Sequence, residues 1–126
     1  YTADQNNQWG LYSVDASTGD LTLIASSTND GNLWKATSAT FVSKAFSSSV
    51  SVPAGEYYIA AIYNSSAQVI APDMKGYGSF STATQSYDFS SSLKMIGYST
   101  GNSLPSSINA SALTADYGGL YCGLYD

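Results

Sequence analysis

The sequence predicts an antiparallel all-β sandwich or barrel, on three observations. Turn residues recur at roughly 8–12-residue intervals between short apolar runs. From Phe46 to Val52 side chains alternate strictly, with Phe46, Val50 and Val52 on one face beside Ser48, and Ser47, Ser49 and Ser51 on the other. The run from Tyr57 to Tyr63 is dense in β-formers and too short for a convincing helix.

Taken in order, Trp9 to Val14 reads as a strand, Asp15 to Asp20 as a polar loop and Leu21 to Ser26 as the returning strand. The sequence Asn29-Asp30-Gly31-Asn32 then breaks the chain ahead of Leu33 and Trp34. The alternation of Phe46 to Val52 suits a sheet wet on one side, and Pro53-Ala54-Gly55 supplies the next turn. Tyr57 to Tyr63 reads as a central strand, apolar on both faces. Pro72 to Gly78 reads as a long loop, Tyr87 to Phe89 and Lys94 to Tyr98 as short strands, and Gly101-Asn102 as a turn. Between Ser103 and Leu113 a helical turn is expected near Pro105. The C-terminal Gly119 to Tyr125 places Leu120, Cys122 and Leu124 on one face and Tyr121 and Tyr125 on the other, beside Gly119 and Gly123.

These two-faced strands carry a consequence. A two-layer sandwich buries one face of each strand, so the second face needs another cover. A neighbouring subunit is the simplest one, with Tyr57, Ile59, Tyr63, Tyr121 and Tyr125 as the candidate contacts.

The chain has 126 residues, enough for one domain with its own core. The start at Tyr1 instead of Met marks it, as an expectation, as one domain (1–126) of a longer chain. Charged residues make up only 10%, with a net charge of −5, no Arg and no His. Nucleic-acid binding depends on cations that neutralise phosphate, so that class is excluded, as is attraction to an anionic membrane. No stretch approaches the ~20 apolar residues of a membrane span, so insertion is not expected. Cys122 is the single cysteine and forms no intrachain disulfide, which fits folding in a reducing cytoplasm.

Catalysis is not expected. Without His there is no Ser-His-Asp or Cys-His arrangement and no imidazole metal ligand. Cys122 lies in an apolar run and reads as a packed residue. Paired carboxylates could still cleave glycosides, but the nine acids are dispersed and Glu56 follows a turn at a strand start. Asp15, Asp20 and Asp30 lack a calcium-loop pattern and read as turn formers, so neither metal nor cofactor is implied. Asn64-Ser65-Ser66 and Asn109-Ala110-Ser111 match the glycosylation pattern, as chance allows in a Ser-rich chain.

The remaining lead is aromatic: eleven Tyr and two Trp. Sugar recognition sets an aromatic face against the sugar's C–H surface, with a nearby Asp or Asn accepting from hydroxyls. Tyr77 with Asp73, Tyr87 with Asp88 and Tyr98 with Asn102 make such pairs in or near loops, and Trp34 follows a turn. These seven are the candidate glycan contacts; the competing reading is that Tyr lines strands and subunit contacts.

Four stretches carry a resemblance: Gly10 to Asp15, Leu33 to Thr37, Val52 to Ala60 and Leu104 to Ile108. In this order they resemble the C-terminal domains of bacteriophage tail-fibre and minor tail proteins. The Pro-Ala-Gly-Glu-Tyr-Tyr strand and the aromatic, Gly-containing terminal strand are also similar to trimeric jelly rolls of the C1q/TNF type. The resemblance implies a homotrimeric jelly-roll head on the virion surface, joined to other tail or fibre proteins and contacting a host surface polysaccharide. It assigns no binding residue by position. A structural fibre or decoration module, and a monomeric carbohydrate-binding module or adhesin, are the alternatives.

Overall fold

The computed structural model describes residues 7–34, 42–62, 76–77, 95–97, 103–116, 119–120 and 124. Its centre is a four-stranded antiparallel sheet built from β1 (Gln8–Val14), β2 (Leu21–Ser26), β3 (Tyr57–Ile62) and β6 (Ser107–Ile108), in the order β3-β1-β2-β6. Two short antiparallel pairs accompany it. One joins β4 (Gly76–Tyr77) to β8 (Gly119–Leu120), the other β5 (Met95–Gly97) to β7 (Thr114–Asp116). The all-β expectation holds among the described residues, where the only helical element is a 3₁₀ turn, Ala110–Ala112.

The hairpin β1–β2 follows from local chemistry. Asp15 Oδ1 accepts from the Ser17 and Thr18 amides at 2.8 and 3.0 Å, turning the chain through its own side chain. Gly19 then sits at φ +78°, a left-handed geometry that glycine adopts without steric cost. Asp15 and Asp20 close the loop through a 2.9 Å backbone bond. Along the hairpin Leu11 pairs with Ala25 but Tyr12 with Leu23, so Ile24 is an extra residue, a β-bulge.

One face of the sheet holds the core. Tyr12, Leu21 and Ile108 are buried there, with Val14, Leu23, Tyr58, Ala60 and Leu113 packed around them. The approach to β6 crosses this face: Tyr12 Oη donates to Pro105 O at 2.7 Å, and Leu104 lies over Gly10. Gly10 makes room, since a Cβ there would come within 2.7 Å of Leu104 Cδ1. By alternation Trp9, Leu11, Tyr57, Ile59 and Ala61 belong to the opposite face. Leu11 is fully buried there, while Tyr57 to Ala61 are half-buried whichever side they take.

Several elements differ from expectation. β3 is the outermost described strand of its sheet, not a central one, because β1 pairs with it on one side and β2 takes the other side of β1. Phe46 to Val52 forms no strand; Phe46 makes a single bridge to Ser27, and Ser47 N–H donates to Ser26 O at 2.9 Å. Its alternation lacks a partner edge, and Val52 is 43% exposed. The helical turn falls at Ala110–Ala112, past β6, where Asn109 Oδ1 caps the Ser111 amide at 3.0 Å. β4 begins inside the stretch expected as loop.

Candidate functional site

The register brings separate turns to one end of the sheet. Val14 N–H donates to Glu56 O at 3.2 Å, so the Asp15–Asp20 loop and the Pro53–Glu56 turn lie side by side. Ile108 pairs with Leu21, which adds Asn109 and Ser111 to the same end. Asp20 ties them together, its Oδ1 accepting from the Ala110 amide at 2.8 Å.

This end displays tyrosines and acceptors. Tyr57 Oη donates to Pro53 O at 2.7 Å, and its ring lies over Gly55. Tyr58 Oη donates to Glu56 Oε1 at 3.3 Å. Burial raises the Tyr58 phenol above its ordinary value, with the Glu56 charge acting in the same direction. Asp15 is lowered to about 2, first by the Ser17 hydroxyl at 2.5 Å and then by the Ser17 and Thr18 amides. No Lys of the described residues stands here: Lys44, the only one, lies at the other end. The described charges of this end, Asp15, Asp20 and Glu56, are all acidic and favour neutral hydroxyl-rich or cationic groups over anionic ones.

The opposite end is a packed corner. Trp9 and Trp34 meet edge to face at 4.8 Å between centroids, and Trp34 Nε1 donates to Ile62 O at 3.1 Å. Trp34 is 9% exposed. This burial gives it a packing role in place of the open stacking face expected from the sequence. Asn7 and Ser27 are buried beside it, Ser27 Oγ accepting from the Trp9 amide at 3.0 Å. Asp30 bonds Lys44 Nζ at 2.8 Å and the Asn32 amide at 2.9 Å; the Lys44 ammonium, first, and that amide lower its carboxyl.

Of the other sequence-derived candidates, Asp73, Tyr87, Asp88, Tyr98 and Asn102 lie outside the described residues. So do Tyr63, Tyr121 and Tyr125 of the expected interface, as does Cys122. Tyr77 falls in β4, where its backbone pairs with Gly119. Tyr57 and Ile59 lie on β3, half-buried. The three acids weighed for calcium serve turns and links instead, and no group of three His, Cys, Asp or Glu side chains able to hold a metal gathers among the described residues. Sequence reasoning passed over Glu56 and Tyr58 as ligand candidates. The contiguous Glu56-Tyr57-Tyr58 after a turn was the available signal, but its position beside Asp15 depends on strand register.

No protein-family model, no curated protein and no solved structure matches the chain.

Proposed function

We propose that the chain is a non-enzymatic attachment domain of a virion fibre, which binds a host cell-surface glycan. In this reading the sheet belongs to a jelly roll, the domain assembles as a homotrimer and other tail or fibre proteins carry it. The observation that supports glycan binding most directly is the Val14 end of the sheet. There the exposed Glu56 and Asp15 loop lie beside the half-buried Tyr57 and Tyr58, which take opposite faces of β3, and no Lys of the described residues is at this end. Aromatic faces beside carboxylate and hydroxyl acceptors match the chemistry of a neutral polysaccharide. The half-buried faces of β3 and the sequence resemblance support assembly. Weak single-site sugar affinity would then be multiplied by simultaneous engagement.

A second reading, a fibre or decoration module without a ligand, is favoured by one observation. Asp15, Tyr57 and Tyr58 all have hydrogen-bond partners within the chain, so their arrangement also serves the turns alone. A glycan array and a host-cell adsorption assay with the isolated chain separate the two. An attachment domain binds and competes with the virion; a decoration module does neither.

A further inference from the structure

Backbone direction along β3 follows from one bond. Val14 N–H donates to Glu56 O, and the same register pairs Tyr12 with Tyr58, Gly10 with Ala60 and Gln8 with Ile62. Residues of an antiparallel strand alternate, aiming both backbone groups at one neighbour and then both away from it. The even-numbered residues of β3 therefore face β1. Tyr57, Ile59 and Ala61 aim their N–H and C=O groups outward, and no strand pairs with them among the described residues. The strand has no charge, no Pro and no bulge, the usual protections of a sheet edge.

From this edge we infer that β3 pairs with β3 of a second copy about a two-fold axis through Ile59. Only odd-to-odd pairing joins the outward groups. Centring it on Ile59 uses all of them: Tyr57 meets Ala61 and Ile59 meets Ile59, with both backbone bonds made at each rung. The side chains match in size on both faces, Tyr57 beside Ala61 on one and Tyr58 beside Ala60 on the other. Centring on Tyr57 instead would oppose two tyrosines and lose rungs. Charge agrees with this register. Glu56 falls opposite Ile62, so the two Glu56 carboxylates stand roughly 20 Å apart along the strands. Two chains of net charge −5 thus meet on an uncharged segment. The partner is another copy of this chain, and the contact is isologous. It goes beyond the attachment reading, concerning the edge of β3 and not its faces. It produces even-numbered assemblies, either a dimer or two three-fold assemblies joined in pairs.

Cysteine crosslinking tests the register, in a Cys122→Ser background so that each introduced thiol is alone. A hydrogen-bonded rung sets the two Ile59 Cα atoms about 5.5 Å apart, within disulfide reach. Two Tyr57 Cα atoms would lie about 14 Å apart, beyond it. Ile59→Cys is expected to give a covalent dimer on mild oxidation, as is the Tyr57→Cys/Ala61→Cys pair, while Tyr57→Cys alone stays uncrosslinked. In sedimentation the unmodified chain should show an even-numbered species that Ile59→Lys dissociates without changing the circular dichroism. Equal crosslinking of Ile59→Cys and Tyr57→Cys overturns the proposal. So does a monomer, or a trimer that Ile59→Lys leaves intact. Glycan binding enters neither readout, so failure here is distinct from failure of the attachment reading.

Discussion

Tyr12 and Pro105 are joined by a 2.7 Å hydrogen bond across 93 positions of sequence. The phenol sits in the core at 1% exposure, and its one polar atom reaches the segment that leads into β6. That bond and the Leu104 side chain over Gly10 hold the segment leading into β6 against the N-terminal hairpin.

Tyr12→Phe keeps the ring and removes the bond. It should lower unfolding free energy by about 1 kcal/mol in urea with the m-value unchanged, since a lost neutral hydrogen bond has that size. Tyr12→Ala also opens a cavity and should cost about 3–5 kcal/mol.

Gly10 and Leu104 should couple. Gly10→Ala places a methyl 2.7 Å from Leu104 Cδ1, and the end of a leucine can swing aside, so the cost should stay near 1 kcal/mol. Gly10→Val should cost more. In the Gly10→Ala/Leu104→Ala double variant the loss should fall short of the sum of the singles, as measured by a double-mutant cycle in urea.

Trp34→Phe removes the donor to Ile62 O and shrinks the contact with Trp9. A loss of about 1–2 kcal/mol is expected. Chemical denaturation followed by Trp9 fluorescence reads it, since Trp9 is then the only indole left.

Asp15 makes stability depend on pH with a definite sign. Its folded pKa, about 2, is below the ordinary value of 3.8. The carboxylate's contribution is therefore complete above the unfolded value and is lost as pH falls through 3.8 toward 2. Asp15→Asn should flatten the acid limb of the thermal stability curve in that window. Carboxyl titration by NMR should show the Asp15 resonance moving only as pH falls below 3.8 toward 2.

The hairpin β1–β2 and the start of β3 were legible in the sequence because their signals are local. Asp15 turns the chain with its own side chain, Gly19 supplies the left-handed residue, and Pro53-Ala54-Gly55 ends one segment before the aromatic run begins. Pairing partners were not legible, since they depend on contacts far apart in sequence. The outer position of β3, the bulge at Ile24 and the single bridge at Phe46 are all of this kind. Trp34 misled for a related reason: a tryptophan after a turn reads as available until Trp9 and Ile62 O claim it. The rim of Glu56, Tyr57, Tyr58 and Asp15 needed the Val14–Glu56 pairing, which no local motif announces.

The most direct measurement is an NMR titration of the chain with neutral cell-surface polysaccharide fragments. Saturable shifts concentrated at residues 15–18 and 53–58, weakened in Tyr57→Ala and Glu56→Gln, are predicted. Saturable binding that leaves this rim unshifted, or no binding at millimolar fragment, would contradict the account.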